Sequence, residues 1–373
     1  MNQTFTSLGL MSGTSGDGVD ASIIQSDGDT KYQEIKDKYF EYDREIYQNI
    51  HDLKDKIHNF TDIKKLNKEL SDLERQITLF HAKVVKEISK NQKIDIIGFH
   101  GQTIYHNSQE KISNQLGDGK LLSQLTKKDI VYSFRQNDIK NGGEGAPLAS
   151  IFHQLLATQL KLNLPVCILN IGGISNITIV NERTGTFGFT SRDIGPGNCL
   201  IDSWIRKNSK KKFDKDGIIA AKGTRNEIFF EQAQELFSNR LNQTALSFDV
   251  NDFDVSFARG LSLEDGATTL TDFTAGLIGT ALSALLSKVS KKNWKVLVCG
   301  GGRKNQFLIK KIKKSTLKNI FLQSIDDYGI NGDFIESKAF AFLAIRSKLN
   351  LPISFPYTTG CKQPSSGGVI IKY

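Results

Sequence analysis

Hydrophobic positions change their spacing several times along the chain, and each change marks an element. Thr4 to Leu10 and Val19 to Gln25 are short β-type runs on either side of the turn-rich segment MSGTSGDGVD, which predicts a hairpin with a glycine-rich tip. From Tyr47 to Lys90 the period becomes helical: Leu66, Leu70, Leu73, Ile77, Phe80, Val84 and Ile88 step by three or four, with Lys and Glu on the opposite face. That stripe predicts an amphipathic helix on a core and needs no cofactor to explain it. Asp95 to Phe99 then reads as a short buried strand ending at His100-Gly101-Gln102-Thr103.

The segment NGGEGAP, Asn141 to Pro147, concentrates flexible residues and reads as a hinge or crossing loop, so the lobe boundary is placed just before it, near Arg135. Beyond it the pattern gives a helix (Leu148 to Gln159), a strand (Val166 to Asn170), a turn (Ile171 to Asn176) and a second strand (Ile177 to Val180). The loop Asp193 to Asn198 then feeds another helix. A helix of small residues (Phe273 to Val289), a strand (Lys295 to Cys299) and the run Gly300-Gly301-Gly302 follow. Strand, glycine loop, strand recurs near the start of each half, which predicts a duplicated α/β lobe rather than a solenoid. The expected division is 1–134 with 346–373 as one lobe and 135–345 as the other.

Composition adds constraints. With 373 residues, 39% hydrophobic and 24% charged, the chain has globular usage and the length of two domains. The net charge of +9 comes from 49 basic against 40 acidic residues, and the basic ones are mostly Lys spread over nearly every segment, with no aromatics interleaved in the densest tracts, Lys207 to Lys212 and Lys310 to Lys318. That pattern describes a solvated surface and argues against a nucleic-acid partner. Four scattered cysteines with no CxxC pair suit a reducing cytosol, and the pattern predicts neither an export signal nor a membrane span.

Neither GxxxxGK[ST] nor GxGxxG is present. Ser12, Gly13, Thr14 and Ser15 instead sit at the predicted hairpin tip, where successive N–H groups and hydroxyls can point into one concavity that fits phosphate oxygens. Ile171 to Asn176 can form a second such loop, and Gly300 to Gly302 leave bare backbone against which a flat purine can lie. A glycine turn between strands is more often just a hairpin. Three of them, each at a strand end, favour phosphate cradling.

The order of these segments resembles the superfamily of sugar kinases, heat-shock ATPases and actin. Within it, GLMSGTSGDGVDAS, HGQT, GGEGAPL, NIGGISNIT, DIGPGN and CGGGRKN together resemble the anhydro-N-acetylmuramic acid kinase family, from Leu8 to the C-terminus. The resemblance implies a two-lobed α/β fold of the actin-like ATPase class, with ribonuclease H-like duplicated lobes and ATP and Mg2+ in the interlobe cleft. It also implies the reaction: water opens the 1,6-anhydro bond of 1,6-anhydro-N-acetylmuramic acid while the γ-phosphate passes to O6, giving N-acetylmuramic acid 6-phosphate and ADP in peptidoglycan recycling. A cytoplasmic homodimer is implied as well.

Residue roles follow from the same resemblance. Asp193, heading DIGPGN, matches the family's general base, although an Asp there could equally cap the helix that follows Pro196. Gly195 lets backbone approach the substrate and Asn198 offers an amide. Ser12, Gly13, Thr14, Ser15, Gly16, Asp17, Gly18, Val19 and Asp20 match the ATP-phosphate segment, with Gly16 where the family has Leu; Gly172 and Gly173 match the second phosphate turn. Met11 and Asn170 stand where superfamily kinases often carry an acid, so the metal is held by phosphates and water, with Asp17 or Asp20 as outer-shell partners. His100 is assigned to positioning, and Gln102 and Thr103 to ordering substrate hydroxyls. Arg135 suits the lactyl carboxylate or an interlobe salt bridge, and Glu336 suits the sugar or the dipole of its own helix. Gly300, Gly301, Gly302 and Asn305 are expected at the nucleoside. Two other functions remain open on this fold: a kinase for another sugar or carboxylic acid, and a regulatory ATPase clamped by nucleotide.

Overall fold

The computed structural model describes residues 3–182, 188–241, 247–253, 255–289 and 293–373. In chain order its strands are β1 (Phe5–Ser12), β2 (Gly18–Ser26), β3 (Tyr32–Glu41), β4 (Ile96–Asn107), β5 (Ile112–Leu116), β6 (Ile130–Tyr132), β7 (Val166–Ile171), β8 (Ile174–Val180), β9 (Phe189–Pro196), β10 (Trp294–Cys299), β11 (Ile320–Ser324) and β12 (Val369–Ile371). They form two sheets, one ordered β12-β6-β4-β1-β2-β3 with β5 beside β4, the other β11-β10-β7-β8-β9. In the first, β1 is antiparallel to β2 and parallel to β4, and β4 is parallel to β6. In the second, β7 is antiparallel to β8 and parallel to β10, and β10 is parallel to β11. One plan is therefore used twice: an opening hairpin, then parallel strands added on the far side of its first strand. This is the duplicated lobe of the actin-like ATPase class, as the recurring strand, glycine loop and strand predict.

By contacts the chain divides into Met1–Leu162 with Phe189–Ser191 and Asp333–Tyr373, and Asn163–Gly188 with Arg192–Gly332. This differs from the sequence boundaries, since residues 135–162, 189–191 and 333–345 group with the first unit. The expected hinge is cross-linked rather than loose. Asp138 accepts from Gly145 N–H at 2.7 Å and from the Thr359 hydroxyl at 2.6 Å, and Glu144 N–H donates to Thr359 O at 2.8 Å.

In the first unit alternation along β1 sends Leu8 and Leu10 to one face and Phe5 and Met11 to the other. The first face packs against helices Arg44–Lys54 and Asn67–Ile88, which bury Ile50, Leu73, Ile77 and Ile88. The second is covered by helix Ile335–Lys348 through Phe340, Leu343 and Ala344. In that helix Lys338 is fully buried, with Nζ 2.6 Å from Glu34 and 2.8 Å from Asp37 of β3. Burial pushes the Asp37 carboxyl up, against the pull of the Lys338 ammonium.

In the second unit Leu270, Phe273, Ile278 and Leu282 of helix Leu263–Val289 meet Leu169, Ile171, Val296 and Val298 of the sheet. Each such side chain stabilises by about 1.5–3 kcal/mol relative to exposure. This helix, which starts ten residues before the sequence pattern places it, is long and apolar enough to cross a membrane. Yet 67% of its most apolar window is buried inside the protein, as in a core helix.

Candidate active site

In the first unit the hairpin between β1 and β2 closes over Gly13 to Asp17, with Gly16 N–H donating to Gly13 O at 3.1 Å. Lys54 Nζ binds Thr14 O at 2.8 Å, and Tyr39 OH binds Asp17 O at 3.0 Å. The Ser15 hydroxyl donates to Asp17 Oδ1 at 2.6 Å. Ser12 lies beneath this tip. Its buried hydroxyl is 2.6 Å from Gln102 Oε1 and 3.0 Å from Gly18 O, and accepts from Tyr42 OH at 3.1 Å. Val19 is fully buried in the core. Gly13 to Asp17 are thus the part of the phosphate segment at the tip, whereas Ser12 and Val19 support it from below.

β4 does not stop at Phe99. It continues to Asn107 and pairs with β5, which places His100, Gln102 and Thr103 inside a strand. Gln102 is fully buried; besides accepting from Ser12 it donates to Gly13 O at 3.0 Å and to Thr103 O at 3.2 Å. With both ends of its amide engaged, Gln102 holds the hairpin tip. Thr103 Oγ1 accepts from Gln115 at 3.3 Å. His100 donates from Nδ1 to Gly101 O at 2.8 Å, and its Nε2 accepts from Arg135 Nη2 at 2.9 Å. Burial and then the Arg135 charge push its pKa down to about 3, so it is a neutral acceptor that orients Arg135. Arg135 Nη1 donates to Gly145 O at 2.7 Å.

Asp20, near the start of β2, lies among acids. Burial first, then the charges of Asp17, Glu336, Asp333 and Asp37, push its carboxyl up to about 8. Glu336 is in the first turn of helix Ile335–Lys348, where a carboxylate also favours the helix dipole. Among the described residues, no three His, Cys, Asp or Glu side chains are grouped so as to hold a metal ion directly.

In the second unit the glycine turn has just two residues, Gly172 and Gly173, and β8 starts at Ile174. Both carbonyls of the turn are engaged by the start of helix Cys199–Asn208. Gly197 N–H donates to Gly173 O and Asn198 N–H to Gly172 O, each at 2.8 Å, and the Asn198 side-chain amide adds a 3.0 Å bond to Gly172 O. Asn198 is the N-cap by position, but its side chain binds the turn instead of capping. Gly197 is required here because a Cβ would fall 2.2 Å from Gly172 O.

Asp193 is not in a loop. It lies on β9, five residues before the helix N-cap, so it does not cap that helix. It is 6% exposed, and its Oδ2 accepts from Phe248 N–H at 2.8 Å. Gly195 follows on the same strand, beside Leu277.

Gly300 ends β10 at φ +77°, where a side chain would also sit 2.3 Å from Asn170 Oδ1. Gly301 and Gly302 continue into a short 3-10 turn. Asn305 Oδ1 accepts from Leu308 N–H at 2.9 Å and caps helix Gln306–Ser315. Arg303 binds Asp326 with bonds of 2.6 and 2.9 Å, which holds that carboxyl well below the usual range.

The first unit therefore gathers the Gly13 to Asp17 tip with its Gln102 support and, linked to it through Asp17, the acids around Asp20 with Glu336. The second gathers Gly172, Gly173, Gly197, Asn198 and Gly300. Sequence reasoning missed Phe248, whose backbone contribution leaves no sequence signature, and Asp333, which the acids DFIE at residues 333–336 could have flagged.

Comparison with known proteins gives one consistent result. The family model described as anhydro-N-acetylmuramic acid kinase matches residues 5–373. A protein of that description from Pelagibacter ubique is 55% identical over the full length of both chains. One from Agrobacterium fabrum is 36% identical, again over both full lengths, and one from Zymomonas mobilis is 36% identical over 97% of this chain and 98% of its own. Among solved structures, a ROK family glucokinase from Streptomyces griseus with glucose and AMPPNP covers 91% of this chain and 99% of its own. At 12% identity and a TM-score of 0.39, that likeness is too loose to weigh.

Proposed function

The chain belongs to the anhydro-N-acetylmuramic acid kinase family, and from that premise we propose how its own residues carry the reaction. As a member it phosphorylates anhydro-N-acetylmuramic acid in peptidoglycan recycling, opening the anhydro ring hydrolytically. Full-length identity of 55% to a kinase of that description is the observation that carries this reading.

Asp193 takes a proton from a water whose oxygen bonds to C1 of the sugar. The C1–O6 bond breaks, its electron pair stays on O6, and O6 attacks the γ-phosphorus of ATP as ADP departs. Burial of the Asp193 carboxylate suits a base kept from bulk water. The N–H groups of Gly13, Thr14 and Ser15 and that of Gly173 take phosphate oxygens, and Gly300 to Gly302 take the nucleoside. Arg135, oriented by His100, takes the lactyl carboxylate, and Glu336 the sugar hydroxyls.

Mg2+ fits the first unit as an outer-shell guest. Asp20, raised by burial first and then by the neighbouring carboxylates, lies in a negative field that favours a cation, and Asp17 and Asp20 would hold its waters while the phosphates hold the ion. When bound it supplies charge neutralisation on the transferring phosphoryl group. A cytoplasmic enzyme, in keeping with its ATP substrate and four free cysteines, is part of this reading, as is the homodimer that the family resemblance implies.

Mass spectrometry in 18O-water with the anhydro sugar and ATP tests the reaction. Label at C1 of a phosphorylated product is expected; an unlabelled anhydro sugar phosphate would overturn the mechanism. Asp193→Asn is expected to bind nucleotide and to lose turnover.

A further inference from the structure

We infer that the backbone N–H of Phe248 is the positioning group for Asp193, an inference that rests on reading Asp193 as the general base. A base must present one oxygen to the water it activates, but the terminal torsion of Asp is broad and by itself fixes neither oxygen. A donor held in place on Oδ2 fixes it, and so sets the direction in which Oδ1 points. Phe248 N–H, 2.8 Å from Oδ2, is such a donor, and it comes from a segment 55 residues further along the chain.

That segment is itself anchored. Asp249 N–H donates to Asp252 Oδ2 at 2.8 Å, and Asp252 N–H and Phe253 N–H close tight turns back to Asp249 O and Val250 O at 3.1 Å each. The rings then form a ladder into the core. Phe248 meets Phe253 edge-on at 5.7 Å, Phe253 stacks on Phe237 at 5.4 Å, and Phe237 contacts Phe273 at 5.4 Å. Phe273, in helix Leu263–Val289, is 1% exposed. The N–H that holds the carboxylate is thereby tied to the rigid centre of the second unit, which is what a positioning contact needs.

Proline removes the N–H, whereas leucine keeps it along with an apolar side chain. Phe248→Pro is expected to lower kcat by about tenfold or more through misdirection of the base, with ATP KM and ADP binding within about twofold of the parent. Phe248→Leu should keep kcat within about threefold. Wild-type kcat in the proline variant, or an equal loss in the leucine variant, overturns the inference. If the proline variant does not fold, Phe253→Ala decides: a lower kcat at unchanged ATP KM supports the anchored N–H, and an unchanged kcat overturns it. Asp193→Asn separates the two readings. If it keeps turnover, the base assignment falls and takes this inference with it. If it is inactive while Phe248→Pro is fully active, the positioning role alone falls.

Discussion

Replacing Asp20 with asparagine in the enzyme free of metal and nucleotide is expected to remove a loss of stability that otherwise grows as the pH rises. In an unfolded chain the carboxyl ionises near pH 4, but among its acidic neighbours it keeps its proton up to about 8. Between those values the folded state binds one proton more than the unfolded state, so stability falls by about 1.4 kcal/mol per pH unit as pH rises. The comparison is made from pH 6.5 to 8. His81, His100, His106 and His153, pushed down to about 4, 3, 3 and 4 by burial, are neutral there in the folded state but about half protonated at pH 6.5 in the unfolded one, so they contribute in the opposite sense, with stability lost as pH falls through 6.5. That contribution is common to the parent and Asp20→Asn and cancels in their difference. Across the window Asp20 accounts for about 2 kcal/mol, or roughly 4–8 °C in Tm for a unit of this size. Thermal melts of parent and Asp20→Asn in EDTA at pH 6.5 and 8 read it directly: the parent should lose that much relative to the variant. Parallel curves would refute the acid cluster as a source of strain.

Two further substitutions test the frame around the site. Gly197→Ala drives a Cβ to 2.2 Å from Gly172 O and strains the two 2.8 Å bonds that clamp the glycine turn; a loss of about 2–4 kcal/mol is expected in urea denaturation, with weakened nucleotide binding. Lys338→Met leaves Asp37 buried beside no cation and should cost about 3–5 kcal/mol, most of it recovered by adding Asp37→Leu. A stable single Lys338→Met variant would show that the pair is dispensable.

The glycine hairpin tip and the Asn67–Ile88 helix were legible because each repeats one spacing against one environment. The pattern predicts β4 too short and reads the end of β9 as a loop, because their polar residues look like loop. His100 and Gln102 stand inside β4 because hydrogen bonds satisfy them there, and Asp193 stands inside β9 where the Gly and Pro that follow suggested a turn. The glycine-rich NGGEGAP looks flexible in one dimension; its tie through Glu144 N–H to Thr359 O, far along the chain, is tertiary and leaves no local trace. Phe248 could not be found from side-chain chemistry at all, since a backbone N–H belongs to every residue but proline.

The first unit is interrupted, and this bears on the order of events during synthesis. Its sheet needs helix Ile335–Lys348 on one face and β12 at one edge, yet both follow the main part of the second unit in the chain. About 170 residues separate Leu162 from Asp333, which at ~5–20 residues per second is a delay of roughly 10–35 s on the ribosome. During that interval the β1 face bearing Phe5 and Met11 lacks its cover and is a natural client for a chaperone. Most of the second unit, by contrast, emerges in one run and can fold as it leaves the tunnel. The half of the chain that is made first is the last to close.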